Sequence, residues 1–377
     1  MFASDKKAAL LLPCLLTGGT EVATLDTATA LKVLGYRVSV IVYFDETDPA
    51  MLAAFKQEGI TVTLLGLKRA GGVVAAIRLA LALGNALLKL RPSLVWLQYM
   101  TPTLVPLLVA RLFTRRLLAA VHVAAGHYKA GAMGRLRWLA SWWCDGLVCV
   151  SHTSARGILG QVPAHSRLAR RVKVLPNAID TEVARNAVAT DWRGQLGIDA
   201  ESPVIGYVGR LAHNKGVDVL LRAAAQVNEQ HPECHWLIVG DGAEKAHLQH
   251  IAESAGLARK VHFVGNVPRD AVYGAMKGFD IAVVPSREEG FGLTALEAMA
   301  CGVPLVASGV DALREVVQDG ETGVLFTPGD ADALTVILMR LLALQEQRQA
   351  LAVAATRHAE ANYGRQAFLR KISNLLN

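Results

Sequence analysis

The stretch VVPSREEGFGLTALEAMACGVPLVA, residues 283–307, sets a short apolar run against a glycine-spaced turn and then a helical pattern. The run at residues 281–284 closes on Pro285 and Ser286, which reads as a buried strand ending in a loop. Glu289-Gly290-Phe291-Gly292 makes the turn. A helical pattern follows over residues 294–300, with Leu293, Leu296 and Met299 recurring at spacings of three. Strand, turn and helix in that order place backbone N–H groups at a helix start beyond the strand's carboxyl end, which is an anion site. Glu289 and Glu297 flank it, and carboxylates accept the hydrogen bonds that sugar hydroxyls donate. Thr294-Ala-Leu-Glu297 also fits a capping box, which would employ Glu297 with no ligand at all.

The same grammar repeats outward from this stretch. Upstream lie a strand at 204–208, a turn carrying Arg210 and Lys215, and a helix at 217–229. A strand at 235–239 ending in Gly240-Asp241-Gly242, a helix at 244–255 and a strand at 261–264 follow. The first half opens with a strand at 8–16, Gly18-Gly19, a helix at 21–34 and a strand at 37–43. It continues with strands at 93–99, 117–123, 147–151 and 172–175. This predicts an α/β protein of two Rossmann-like domains, residues 1–183 and 184–364. The tail, 365–377, has one apolar helix face made by Phe368, Leu369, Ile372, Leu375 and Leu376, which must pack on something. The first glycine turn lacks the G-x-G-x-x-G spacing, so a nicotinamide-dependent oxidoreductase is the weakest functional class.

Composition agrees with two cores: 377 residues, 52% hydrophobic and 19% charged. Five scattered cysteines with no C-x-x-C pair read as reduced thiols in a cytoplasmic protein, not as disulfides or a metal site. The one D-x-D, Asp330-Ala-Asp332, reads as a helix cap. At the start of the chain, Asp5 and Pro13 fit a signal peptide poorly and a first core strand well.

Charge is uneven. Residues 1–185 carry 22 Lys and Arg against 10 Asp and Glu, whereas the remainder is net acidic. Residues 111–173 hold eleven basic side chains and one acid, Asp145. The first half is therefore expected to meet something anionic. Within it, Arg135, Arg137, Trp138 and Trp142 lie on one helical segment, a pattern that suits a membrane interface or a lipid-linked acceptor. The alternative has the tryptophans packed inward. The apolar segment 71–90 carries Arg78, Asn85 and Lys89 on one stripe, so an amphipathic helix lying on the sheet is expected instead of a membrane span. His122 stands at a strand's carboxyl end, where open α/β sheets bind ligands, or else is a core histidine; His127 follows in the next loop.

Together these motifs resemble the retaining, metal-independent glycosyltransferases of the GT-B fold, the family numbered four, or glycosyl transferases group 1. The resemblance rests on Gly18-Gly19, Val150-Ser151, Pro176-Asn177-Ala178-Ile179-Asp180, Gly209-Arg210 with Lys215-Gly216, and the run from Glu289 to Glu297. It implies two domains facing across a cleft, with the C-terminal helix returning to the first. It implies that Arg210 and Lys215 bind a donor diphosphate, Glu289 the sugar hydroxyls and Glu297 the ribose. Gly290, Phe291, Gly292, Leu293 and Thr294 would present backbone amides, and Gly18 and Gly19 would allow close approach to the diphosphate. His122 would match the family's sugar-contacting histidine. Gly240, Val264, Gly265, Asn266 and Val267 are expected to complete the donor site on the side of the base. The chain departs from the family's usual pattern at Ser93-Leu-Val-Trp-Leu-Gln-Tyr, which lacks an acidic strand end, and at Ala178, where glycine is usual.

The expectation is a hexosyltransferase. It would move sugar from a nucleoside diphosphate to a glycan or lipid-linked acceptor with retention, needing no metal or other cofactor. Its partners would be the nucleotide sugar, the acceptor and an anionic inner-membrane surface, with no nucleic acid, at the cytoplasmic face. Epimerisation or hydrolysis of a sugar nucleotide on the same fold, or a catalytically inactive sugar-nucleotide-binding protein, are the alternatives.

Overall fold

Leucine- and valine-rich runs that are apolar on both faces form the strands, the pattern of parallel sheets covered by helices on each side. The structure is a computed structural model and describes residues 6–16, 18–100, 104–122 and 130–377. It divides into two compact units, residues 1–178 with 368–377, and residues 179–367. The division falls ahead of the expected residue 183, because Ile179 already pairs with Gly364 and donates its N–H to the Tyr363 carbonyl at 2.9 Å.

The first unit runs β1 (Lys7–Leu12), α1 (Gly19–Val33), β2 (Arg37–Phe44), α2 (Pro49–Gln57), β3 (Thr61–Leu67) and α3 (Val73–Leu90). It continues β4 (Leu94–Leu97), α4 (Leu104–Phe113), β5 (Arg116–Val121), α5 (Ala130–Trp143), β6 (Gly146–Cys149), α6 (His152–Leu159), α7 (Arg167–Arg171) and β7 (Val172–Val174). The sheet is parallel, in the order β3-β2-β1-β4-β5-β6-β7. Leu83 of α3, Leu107 of α4, Leu136 of α5 and Ile158 of α6 share a core on one face. On the other face Leu31 of α1 and Phe55 of α2 pack with Phe368 and Ile372 of the C-terminal helix. Arg116 ties that helix down, its guanidinium donating to the carbonyls of Leu375 and Leu376.

The second unit runs α8 (Thr181–Asn186), α9 (Trp192–Leu196), β8 (Val204–Val208), α10 (Val217–Gln230), β9 (His235–Val239), α11 (Lys245–Ser254), β10 (Val261–Gly265) and α12 (Val272–Lys277). Then come β11 (Ile281–Val284), α13 (Leu293–Ala300), β12 (Leu305–Ser308), α14 (Asp311–Val316), β13 (Val324–Phe326), α15 (Ala331–Ala343) and α16 (Gln345–Tyr363). The helix α17 (Arg365–Leu376) leads back to the first unit. The parallel order is β10-β9-β8-β11-β12-β13. The two sheets match the two expected Rossmann-like domains, and the strand at 281–284 stands where the opening stretch put it.

One expectation changes and two hold. The helix over 73–90 forms with its polar stripe exposed, but the outward side is not polar alone: only Leu83 and Leu87 are fully buried, and Val73, Ile77, Leu81 and Leu88 are each more than half exposed. By length and composition it is also apolar enough to cross a membrane. It is nevertheless one layer of a β–α–β unit, tied at both ends to strands of the same sheet. The D-x-D does cap a helix: Asp330 accepts from the Ala333 N–H at the start of α15, and Asp332 accepts from Gln226. All five cysteines are free.

Candidate functional site

In the second sheet the strand order reverses between β8 and β11, so the loops leaving their carboxyl ends diverge and open a crevice. The expected site lies on these two loops. After β8 the chain passes Gly209 and Arg210 into a short 3-10 turn, His213–Lys215. After β11 it passes Pro285 to Phe291 and enters α13.

Lys215 Nζ donates to Glu289 Oε1 at 2.5 Å, and Ser286 Oγ donates to the same oxygen at 2.9 Å. The two charged side chains are only 21% and 12% exposed, so this is a covered ion pair with a third partner, not a solvated surface contact. Around it the loops are clamped. Arg287 forks onto Asp218 of α10 with two bonds of 2.7 Å, donates to the His213 carbonyl at 3.0 Å, and its own N–H reaches the Asn214 carbonyl at 2.8 Å. Burial works against ionisation of Asp218, but the Arg287 fork overrides it and holds the carboxyl below its ordinary pKa. Gly216 sits at φ 66°, and a Cβ there would lie 2.1 Å from the Pro285 carbonyl oxygen. The Lys215 turn thus presses on the β11 loop in a way only glycine allows.

The helix start has no side-chain cap. Gly292 is the N-cap residue at φ 101°, and among the described residues no side-chain oxygen caps the first amides of α13. Uncapped amides at a helix start are the donors that suit an anion. The capping box does not form: with Gly292 at the cap, Thr294 is already the second helical residue and Glu297 the fifth. Glu297 instead lies 4% exposed and pairs with Arg269 at 2.8 Å. Burial pushes its carboxyl pKa up, with Arg269 opposing the rise.

The remaining donor-side residues gather at neighbouring strand ends. Arg210 is exposed, its backbone fixed by a 3.0 Å bond from the Tyr207 hydroxyl to its carbonyl. The Gly240 N–H bonds the Gly265 carbonyl at 2.8 Å, joining the ends of β9 and β10. Val264, Gly265 and Val267 are half-buried there and Asn266 is exposed. Phe291 is buried edge-on against Tyr363, ring centroids 5.9 Å apart.

In the first unit the order reverses between β1 and β4. Gly18 is the N-cap residue of α1, which begins at Gly19. The buried Glu21 folds back so closely that a Cβ on Gly18 would lie 2.8 Å from its Oε2. Burial raises the Glu21 pKa. His122 follows β5; burial lowers its pKa to about 4, with the Gln98 backbone opposing, so the ring is neutral at neutral pH. Apart from that Gln98 backbone contact, its buried ring nitrogens have no well-formed hydrogen bond among the described residues. His127 lies outside the described residues. At the carboxyl ends of β1, β2 and β4 opens a cavity of about 780 Å³, walled by Phe44, Leu79, Leu97 and Met100, with Lys68 and Arg78 among its cations.

On α5, Trp138 and Trp142 point outward, and Arg167 stacks over the Trp142 ring at 4.5 Å. Arg135 is exposed. Arg137 is half-buried: its guanidinium turns in and donates to the Ile158 carbonyl at 2.6 Å, closing the end of α6.

Both halves of the chain match models of glycosyltransferase families: residues 17–183 match Glycosyltransferase Family 4, and residues 188–358 match Glycosyl transferases group 1. The chain belongs to the group 1 glycosyltransferases. Among curated glycosyltransferases it is 37% identical over 190 residues to D-inositol 3-phosphate glycosyltransferase of Corynebacterium jeikeium, covering 48% of this chain and 45% of that one. It is 32% identical over 206 residues to 2-deoxystreptamine N-acetyl-D-glucosaminyltransferase of Streptomyces fradiae, covering 54% and 49%. The chain spans about half the length of the curated relatives it matches. Its fold is that of Anabaena Alr3699/HepE in complex with UDP and glucose, with TM-score 0.83, 24% identity and 98% and 99% of the two chains covered. Sucrose-phosphate synthase from Thermosynechococcus elongatus also shares it, with TM-score 0.81, 21% identity and 98% of each chain covered.

Four residues of this candidate site escaped sequence reading. Arg287 and Asp218 are 69 positions apart, and nothing local marks them as partners. Arg269 stands far upstream of Glu297, and Ser286 looked only like the end of a strand. The adjacency of Ser286 and Arg287 to Glu289 was the one available signal.

Proposed function

We propose that this chain transfers a sugar from a nucleoside diphosphate donor to an acceptor hydroxyl, with retention of anomeric configuration and without a metal ion. The observation that carries the proposal is the Lys215–Glu289 pair beside the uncapped start of α13. When a diphosphate arrives, Lys215 exchanges its carboxylate partner for phosphate oxygens, and Glu289 is released to accept hydrogen bonds from sugar hydroxyls. Arg210, Lys215 and the first amides of α13 then face the oxygens on which charge builds as the bond from the anomeric carbon to the phosphate breaks. Glu297 takes the ribose hydroxyls. The new bond forms from the acceptor oxygen to the same face of the anomeric carbon, and the acceptor proton leaves on the departing diphosphate. His122, neutral at working pH, is available to donate to a sugar hydroxyl.

The acceptor belongs in the cavity of the first unit. Apolar walls with lysine and arginine nearby suit an amphiphile that has an anionic group, such as a sugar carried on a lipid phosphate. The relatives named above act on acceptors as unlike as inositol phosphate and 2-deoxystreptamine, so the acceptor is not set by family membership.

The test is turnover of a panel of nucleotide sugars with and without alkyl-phosphate-linked acceptors, read as released diphosphate and as the anomeric signal of the product by NMR. Acceptor-dependent release, a retained anomer and unchanged activity in EDTA are expected. Full release without acceptor, or an inverted product, would contradict the proposal.

A further inference from the structure

The helices α3, α4 and α5 lie side by side on one face of the first sheet and share the core beneath them. The outer side of this layer is unlike the surface of an ordinary domain. On α3, Val73, Val74, Ile77, Leu81 and Leu88 are all strongly exposed, and at about 100° per residue they fall within an arc of about 100°. The helix therefore has two apolar faces: one, through Leu83 and Leu87, meets the core, and the other meets solvent. Arg78 and Lys89 run along the flank of the outer stripe and are exposed. On α4, Leu112 is 80% exposed, and on α5 Trp138 and Trp142 point outward beside the exposed Arg135.

Charge distribution selects the partner. Between Glu58 and Asp145 there is no acidic residue, so α3, α4 and α5 carry basic charge alone, with Arg78, Lys89 and Arg135 exposed and Arg137 turned inward. A second protein docking on an apolar patch calls for no such exclusion of acids over three successive helices. A surface of anionic lipid does, because each acid would be repelled and each base attracted within a Debye length. Exposed leucine and isoleucine supply insertion into the acyl boundary, tryptophans suit the headgroup level, and arginine and lysine flank them, the arrangement of an interfacial helix. Because α3 is fixed between β3 and β4, it lies in the membrane plane and does not cross it.

We infer that the outer face of the α3–α4–α5 layer is a docking surface for an anionic bilayer, with the exposed stripe of α3 as its inserted ridge. The cavity is lined by Val74 and Arg78 of this same helix, so docking would set its mouth at the lipid surface, where a lipid-linked acceptor resides. The docking itself does not rest on the proposed transfer reaction; only the placement of the acceptor does.

The experiment is flotation of the purified 377-residue chain with vesicles of phosphatidylcholine alone or containing phosphatidylglycerol, comparing wild type with an Ile77→Glu, Leu81→Glu variant. Neither position lines the cavity, and both are exposed, so the fold is retained; circular dichroism and a thermal shift with nucleoside diphosphate check this separately from lipid binding. Wild type should float with phosphatidylglycerol vesicles, less so at high salt, and the variant's partitioning should fall about tenfold or more. Trp138→Ala with Trp142→Ala should weaken binding to a smaller degree. Absence of wild-type binding, equal binding by the variant, or a wild-type dimer in light scattering that the variant converts to monomer would each overturn the inference. A variant that loses vesicle binding but keeps its nucleotide shift supports docking whatever becomes of the transfer reaction.

Discussion

At the residue scale the site stores its two key charges against each other. A covered lysine or glutamate alone would be costly, and pairing at 2.5 Å with Ser286 as third partner holds both side chains aimed at one point, where the proposed diphosphate would separate them. Lys215→Ala should lower kcat/KM for the nucleotide sugar by about 10²–10³-fold, the usual loss when one donor to a developing oxyanion is removed. Glu289→Gln should keep the Ser286 bond yet lose most turnover, and near-normal steady-state rates in either variant would contradict the assignment. Glu297 gives a pH prediction. Its folded pKa is raised above the ordinary 4.5, so below that value it is protonated both folded and unfolded and carries no penalty. As pH rises through the folded pKa, the wild type takes on the cost of a buried charge. Glu297→Gln should therefore gain in melting temperature relative to wild type between acid and neutral pH while binding nucleotide sugar more weakly. A gain largest in acid would reverse the sign and refute it.

At the element scale, two loops and one helix start are held in register by contacts that only glycine and one arginine fork allow. Gly216→Ala combines a left-handed φ with a Cβ 2.1 Å from a carbonyl oxygen, so the Lys215 turn must lift off the β11 loop. A destabilisation of about 1–3 kcal/mol is expected, with a loss of turnover resembling that of Lys215→Ala; a variant stable and fully active would show that the turn is not pressed into place. This is also the scale at which sequence reading did best and worst. The long apolar strands and the glycine-to-helix junctions carry local signatures, so 204–208, 235–239 and 281–284 were legible to the residue. The strands Thr61–Leu67, Leu305–Ser308 and Val324–Phe326 were not identified. The last two have three or four residues, too few for periodicity to register, and Thr61–Leu67 is half exposed at the sheet edge. The capping box misled because it tests four residue types and ignores the backbone, and Gly292 at φ 101° moves the cap upstream. On α3 the polar stripe was real, but periodicity shows that a helix has faces, not which of them the sheet covers.

At the scale of the whole molecule, the chain begins the first unit, completes the second, and ends by returning a helix to the first. The apolar tail pattern foretold a partner; which face received it came only from the fold, since Phe368 and Ile372 join a core whose other members come from residues 8–178. Ile372→Ala should destabilise the first unit by about 2–5 kcal/mol in chemical denaturation, leaving affinity for the nucleoside diphosphate alone nearly unchanged, because Arg210, Lys215 and the start of α13 fold in the second unit. Loss of nucleotide binding in a variant that remains folded would mean that the units do not hold their functions separately. The account as a whole depends on where a diphosphate binds, and a crystal structure of the protein with a nucleoside diphosphate measures that directly. The prediction is phosphate oxygens within hydrogen-bonding distance of Lys215 Nζ and the first amides of α13, with the Lys215–Glu289 contact opened. A diphosphate bound elsewhere, with that contact still closed, would contradict it.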